Sequence, residues 1–319
     1  MKYYLIGIKG TGMSALANIL VDLGHDVKGV DYDKKFFTEA TFRKKIVCEN
    51  FENYILKDNY FYIIGNAFKL SDITKKIIEG GYNYQHYSMF LETFFKMEKI
   101  GISGSHGKTT TTCFAGTILK EYANILIGDG TGLGNKNAKY FLFEACEYQN
   151  NFWKYGFDYL VILNIDYDHP DFFKNEGEYL NSFQKAALNS NVLIYNYDDN
   201  NLKKIIHSKK FSFGFDLESD LVIQQSDGQL ILSFCDEKYV IDFPFYGRHL
   251  CYDFAAAFLL SYIVLKDINY VLEKAKGVYL PRRRFQEFVS KDMVLINDYA
   301  HHPTEINALY NAVNLKYPN

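Results

Sequence analysis

The stretch Gly101-Ile-Ser-Gly-Ser-His-Gly-Lys-Thr-Thr-Thr-Thr112 limits what this chain can fold into more than any other. An apolar run ends at Ile102 and Cys113-Phe-Ala-Gly-Thr-Ile-Leu119 follows, so the glycines fall where a strand turns into a helix. Backbone N–H groups at such a helix start, together with its positive dipole end, face an anion well. Lys108 would add a point charge for the outer phosphates of a nucleoside triphosphate, and the Thr109 hydroxyl would ligate the accompanying magnesium. The strict pattern G-x-x-x-x-G-K-[ST] is not met, because Ile102 stands where its first glycine belongs. Taken alone, the segment also reads as a glycine-rich turn before a threonine-capped helix, so its context has to decide.

Composition supplies part of that context. A chain of 319 residues exceeds the usual single-domain size, so two or three domains are expected. With 48% hydrophobic, 17% aromatic and 23% charged residues and a net charge of -3, it reads as an ordinary soluble protein. No basic field points to nucleic acid, so an anionic ligand must be held by local donors. Cys48, Cys113, Cys146, Cys235 and Cys251 show no C-x-x-C spacing and are odd in number, which fits a reducing cytoplasm. Glycine and lysine interrupt the first ten residues too early for a secretory signal. The run Phe254 to Leu265 is too short to span a bilayer, so no membrane partner is expected.

Residues 2–8 read as a buried strand, Gly10-Thr-Gly12 as a turn, Met13 to Leu23 as a helix stopped by Gly24, and Val27 to Val30 as a second strand. Asp31 follows that strand, 19 positions after Gly12, close to the ~20-residue spacing at which a strand-end acid meets a ribose hydroxyl. The glycine order G-x-x-G-x-G differs from the dinucleotide pattern G-x-G-x-x-G, which argues against an NAD enzyme. A strand near 60–66 and a helix from Ser71 to Glu79 follow, and a first domain closes at 97. Beyond the glycine loop, Tyr140–Phe143 and Tyr159–Ile165 are continuous apolar runs suited to a parallel sheet buried on both faces. A helix around 179–188, a strand at 191–195, a hairpin turning at Asp227-Gly228 and a helix over 253–265 complete a second domain, 98–280. A strand at Met293–Ile296 opens a third segment, 281–319.

Ligands of open α/β sheets lie beyond the carboxyl ends of the strands. That places Glu144 beside the loop, as a magnesium ligand or a solvated acid, and His169 in a turn crowded with Asp166, Asp168 and Asp171. Asp298-Tyr-Ala-His-His-Pro-Thr304 again sets a carboxylate and two imidazoles after a strand, for acid–base work or substrate orientation, or else as a capped turn before a helix starting at Pro303.

Six segments in order resemble the Mur ligases: Ile6 to Ala17, Gly104 to Thr110, Glu144-Ala-Cys-Glu-Tyr148, Asn164 to Asp171, Arg283-Arg-Phe285 and Asp298 to Glu305. Within that family, the resemblance is nearest to the branch that joins L-alanine to UDP-N-acetylmuramate. It implies an α/β protein with a Rossmann-like domain for the UDP-sugar (1–97), a central P-loop parallel-sheet domain for ATP (98–280) and the start of a third α/β domain for the amino acid (281–319). It also implies that ATP and Mg2+ convert the lactyl carboxylate to an acyl phosphate, which the alanine amine attacks. On the matching positions, Gly104, Ser105, His106, Gly107, Lys108, Thr109 and Thr110 hold the triphosphate. Thr109 and Glu144 serve one metal and His169 a second, while Gly10, Thr11, Gly12 and Met13 face the UDP diphosphate with Asp31 near the uridine. Arg283 or Arg284 neutralises the reacting carboxylate or the leaving phosphate, and Asp298 and His301 match positions where the amino-acid domain closes.

The chain also departs from the family pattern. Gly247-Arg-His249-Leu250-Cys-Tyr-Asp253 stands where the family has Gly-x-His-Asn-x-x-Asn, so His249 and Asp253 are left to serve the adenine. Leu250 cannot hydrogen-bond through its side chain and an ionised Asp253 only accepts. The family's amino-acid domain is expected to run about a hundred residues further. A catalytically impaired nucleotide-binding paralogue and the ligase that recycles a tripeptide therefore stand as alternatives.

Overall fold

Runs rich in isoleucine, valine and tyrosine form the parallel strands of a computed structural model that describes residues 1–318 apart from Asp227 and Asp292. Contacts divide the chain into two units, Met1–Lys99 with Lys120–Phe143, and Ile100–Leu119 with Glu144–Asn319. In the first unit, β1 (Lys2–Ile6), β2 (Asp26–Asp31), β3 (Val47–Asn50), β4 (Phe61–Ile64) and β5 (Tyr84–His86) make a parallel sheet in the order β3-β2-β1-β4-β5. Continuous apolar runs suit it because Leu5, Ile6, Ile63 and Ile64 are all buried.

Helices α1 (Thr11–Asp22), α2 (Asp72–Glu79) and α3 (Tyr87–Phe94) belong to this unit. Gly10 caps α1, so Thr11 and Gly12 lie in its first turn and not in the turn before it. Ser71 caps α2 by accepting from the Thr74 amide. The segment 120–143 is tied down by side chains around α1. Buried Asn18 donates to the Gly130 carbonyl (3.2 Å), and Asp22 holds Arg43 through two 2.9 Å bonds while accepting from the Gly134 amide (3.1 Å).

The second unit begins as β6 (Glu98–Ser103) runs into α4 (Lys108–Ile118). The chain then supplies β7 (Ala123–Leu126), β8 (Gly132–Leu133) and most of β9 (Tyr140–Glu144) to the first unit. There β7 pairs parallel with β9 and antiparallel with β8.

After β10 (Phe157–Ile162), α5 (Glu176–Leu188) and β11 (Ser190–Asn196) come β12 (Lys210–Gly214), β13 (Leu221–Ser226), β14 (Gln229–Phe234) and β15 (Glu237–Asp242). Their order beside β6 is β15-β14-β13-β12-β11-β10-β6, parallel from β6 to β13 and antiparallel beyond. The expected hairpin is β13–β14; of its turn, Asp227 lies outside the described residues. Strand β10 ends at Ile162, three residues before the expected Ile165, which frees Leu163 to Ile165 to shape the site.

Helix α6 (Arg248–Leu265) starts five residues earlier than its apolar run suggested and, at 18 residues, is long and apolar enough to cross a membrane. Two-thirds of it (67%) is buried within the protein, where Phe254 meets Phe114 of α4 edge-to-face with centroids 5.9 Å apart. Such burial is that of a core helix. Helix α7 (Ile268–Ala275) follows, then β16 (Gln286–Ser290) pairs antiparallel with β17 (Met293–Asn297), and α8 (Pro303–Lys316) begins with proline in its first turn as expected.

Candidate active site

The loop between β6 and α4 has its shape because two glycines adopt backbone angles that other residues resist. Gly104 has φ +132° and Gly107 φ +83°, and Gly107 caps α4. A Cβ at Gly104 would lie 3.1 Å from the Asn164 amide nitrogen, and one at Gly107 would collide with the Asp253 carboxylate. Side chains from the end of β10 fix the rest. Asn164 accepts from the His106 amide (2.8 Å) and donates to its carbonyl (3.1 Å). The Ser105 hydroxyl donates to the Asp166 carbonyl (2.6 Å) and accepts from its amide (2.9 Å), so Ser105 braces the loop through its side chain.

Lys108 opens α4, and its ammonium donates to the carbonyls of Gly104 and Ser105 and to the Glu147 carboxylate at 3.1 Å. Glu147 is 1% exposed. Burial alone would raise its pKa, but the Lys108 charge and the His169 hydrogen bond bring it below the ordinary glutamate range. Burial likewise would lower the pKa of Lys108, and the Glu147 charge reverses that. Both groups are therefore ionised. His169, at φ +57°, places Nε2 3.5 Å from Glu147 and 3.7 Å from Asp168; its hydrogen bond to Glu147 raises its pKa against the opposing effect of burial. The Thr109 hydroxyl donates to Glu144 at 3.2 Å. A hydroxyl and a carboxylate in contact form an oxygen donor pair of the kind Mg2+ prefers.

A cavity of about 390 Å³ lies alongside, lined by Gly107, Thr110, Asn196, His249, Leu250 and Asp253 among others. Burial lowers the pKa of His249 to about 4, so its imidazole is neutral. Burial also raises Asp253 to about 8, offset only in part by the Thr111 hydroxyl and the Arg284 charge. This corrects the sequence reading of Asp253 as an acceptor only. At neutral pH it is mainly the uncharged acid, with one donor and one acceptor. Tyr252 donates to Asp198 (2.6 Å), and the Arg248 guanidinium stacks on Phe215 at 4.0 Å, giving the cavity a further polar wall.

The segment after β17 meets the loop through a charge network. His106 Nε2 lies 3.0 Å from Asp166 and Nδ1 3.3 Å from Glu305. Burial opposes its protonation, yet hydrogen bonds to Glu305 and Asp166 raise its pKa. Burial would raise Glu305, but His106, the His301 amide and Arg284 depress it to about 2. Arg284 stands 3.9 Å from both Asp298 and Glu305. Asp298 accepts from the Phe285 and Ala300 amides, each at 2.7 Å, and so shapes the turn. Arg283, at φ +59°, stacks over Tyr299 at 4.4 Å. His301 is 66% exposed with Nδ1 against the Tyr299 carbonyl; its neighbour His302 is the one that faces His106, with ring centroids 4.6 Å apart.

The residues that the sequence nominated around the loop therefore come together, and His301 stands apart from them. Glu147, Asp166 and Glu305 were quoted within motifs without a role, and His302 only as one of two imidazoles after a strand. Glu305 had a legible signal, since it sits three residues after the cap His302, where an acid reaches back to the helix start. In the first unit, Gly10, Thr11, Gly12, Met13 and Asp31 line a separate cavity of about 540 Å³. Asp31 there accepts from the Lys9 amide at 2.8 Å, so part of its carboxylate holds the loop after β1.

Two family models match the chain: one described as Mur ligase family, catalytic domain, over residues 2–98, and one described as Mur ligase middle domain, over 102–261. A curated relative from Streptococcus agalactiae serotype III, strain NEM316, named UDP-N-acetylmuramate–L-alanine ligase, is 36% identical over 99% of this chain and 74% of its own length. Among solved structures, the UDP-N-acetylmuramate-alanine ligase MurC of Thermotoga maritima superposes with a TM-score of 0.82 at 22% identity, covering 100% of this chain and 79% of that one. A murein peptide ligase of Psychrobacter arcticus 273-4 gives 0.77 at 20% identity, covering 100% and 77%. At these identities the two structures speak to the fold.

Proposed function

From the premise that this chain belongs to the Mur ligase family, we propose that it joins L-alanine to UDP-N-acetylmuramate in an ATP-dependent step of peptidoglycan precursor synthesis. The observation that carries this reading is the convergence of Lys108, the Thr109–Glu144 pair and the Glu147–His169 pair around one glycine loop beside the Asp253 cavity. The 36%-identical relative named for this reaction supports the choice of substrates.

ATP fits the loop because Gly104 and Gly107, at positive φ, turn the backbone into the N-terminus of α4, where amide N–H groups suit phosphates. Mg2+ fits the Thr109 hydroxyl and Glu144 carboxylate, with His169 the candidate ligand of a second ion. ATP supplies the phosphoryl group that makes the lactyl carboxylate a workable electrophile as an acyl phosphate. The residues of this chain hold and neutralise. Lys108, anchored by Glu147, presents its charge to the triphosphate, and Arg284 offers a guanidinium at the cavity wall, while Arg283 stacks on Tyr299 nearby. Asp298 orients the turn that carries Ala300 and His301. The neutral acid of Asp253 and the neutral imidazole of His249 are the polar groups offered to the adenine. Catalysis of this kind is mostly positioning and charge stabilisation.

The UDP-sugar belongs to the first unit, at the cavity lined by Gly10, Thr11, Gly12, Met13 and Asp31. We assign the functional division to 1–97, 98–280 and 281–319, with 120–143 packing in the first unit, and the location to the cytoplasm. Phosphate release that requires ATP, UDP-N-acetylmuramate and L-alanine together tests the reading. Release with a tripeptide in place of alanine would assign the recycling reaction, and UDP-sugar binding with no release on any amine would leave a binding protein.

A further inference from the structure

We propose that His106, Asp166 and His302 form a separate metal site, a two-histidine, one-carboxylate set for a zinc-like divalent ion that ties the phosphate loop to the start of α8. The inference does not depend on the ligase reading. The ligands come from three places in the second unit: the loop after β6, the segment after β10 and the cap of α8. His106 Nε2 is 3.0 Å and His302 Nδ1 3.6 Å from the same Asp166 oxygen. One ligand atom from each residue lies within 4.8 Å of the others. Tetrahedral ligands at ordinary zinc distances stand ~3.4 Å apart, so modest side-chain shifts complete the geometry.

The next layer of residues points the same way. Glu305, 11% exposed in its side chain, faces His106 Nδ1 at 3.3 Å and is itself held by the His301 amide at 3.2 Å. A carboxylate on one ring nitrogen keeps the proton there and leaves the other nitrogen to a metal, the usual support of a metal-bound histidine. The adjoining cavity, which His106 and Asp166 also line, leaves space for a water or ligand at a fourth position. The donor types separate this site from the Thr109–Glu144 pair, because imidazole nitrogens suit zinc, cobalt and nickel whereas oxygen pairs suit magnesium. Binding displaces two hydrogen bonds: Thr304 hydroxyl to Asp166 (2.7 Å) and Thr304 amide to His302 (3.3 Å).

The test uses the full chain with Co2+ alone as the probe, in excess Mg2+. One Co2+ per chain is expected, with the visible bands of a low-coordinate ion and without the near-ultraviolet band of thiolate ligation, which excludes Cys146 and Cys235. His302→Ala should weaken binding at least tenfold, Glu305→Gln by about 10–100-fold, and His169→Ala should leave it unchanged. Because Glu305→Gln retains size and polarity, it reports even if His302→Ala fails to fold. The proposal is overturned by a thiolate band, by loss of the signal in His169→Ala, by equal affinity in Glu305→Gln, or by no stoichiometric binding.

Discussion

The Lys108 ammonium and the Glu147 carboxylate form an ion pair 3.1 Å long, and the same carboxylate reaches His169. With Glu147 at 1% exposure, neither charge could stand in that position alone. The pair pre-orients the lysine at the mouth of the loop, and its geometry is set by β6, by α4 and by the turn after β9.

Removing the lysine should therefore cost stability as well as activity. Lys108→Met leaves the buried carboxylate with His169 as its remaining partner, and chemical denaturation should show a loss of about 3 kcal/mol. The double variant Lys108→Met/Glu147→Gln should recover most of it while remaining inactive. Equal instability in the single and double variants would show that the pair is not what holds this region.

Asp253 makes stability fall as pH rises. Its carboxyl titrates near 8 in the folded chain against 3.8 ordinarily, so between those values the folded state holds a proton that the unfolded state has lost. The destabilisation grows across that window and is complete above about pH 8. Asp253→Asn keeps the donor and acceptor without the titration, so it should be the more stable protein at pH 8.5, by roughly 2–4 kcal/mol. Urea midpoints across pH 5 to 9 check this, and parallel curves for the two proteins would refute it.

Much of this arrangement is readable in the residues. The loop, its lysine, the Thr109–Glu144 pair and the strands that end beside them follow from apolar runs closing on glycine or acid, because local pattern and sheet chemistry agree there. What escaped was non-local. The charge state of Asp253 depends on its burial against Gly107 and Thr111, and the choice of His302 over His301 depends on how the cap of α8 turns. Strand β16 was missed because its residues are half-exposed to exposed and lack clean alternation. The segment 120–143 joins the first unit through Asn18, Asp22 and Arg43, contacts that no periodicity announces.

The link between the loop and α8 should be strongest in mildly acidic solution. Glu305 titrates near 2 against 4.5 ordinarily, so its contribution is full above about pH 4.5 and disappears as pH falls toward 2. His106 is shifted upward, so its contribution is full below 6.5 and is lost as pH rises through its folded value. Hydrogen exchange in α8, corrected for intrinsic rates, should be slowest between about pH 4.5 and 6.5. Glu305→Gln should flatten the acid side and His106→Ala the alkaline side, each lowering protection by about 1–3 kcal/mol. A pH-independent opening of α8 in the parent protein would sink the idea.

Gly107 is where the loop tolerates least. Its φ of +83° alone makes an alanine there unfavourable by about 1–2 kcal/mol. The new Cβ would also strike the buried carboxylate of Asp253, which can yield only by moving toward the cavity it lines. Gly107→Ala should thus lose more than the backbone term, roughly 2–4 kcal/mol in all, and should bind ATP poorly because the clash displaces the turn before Lys108. Shortening the obstructing side chain in Gly107→Ala/Asp253→Ala should return the loss to the backbone term. Gly156→Ala makes the control, since a Cβ there meets nothing within 4 Å and the change should stay within about 0.5 kcal/mol. If Gly107→Ala were no worse than Gly156→Ala, the close packing of Asp253 against the phosphate loop would not hold in solution.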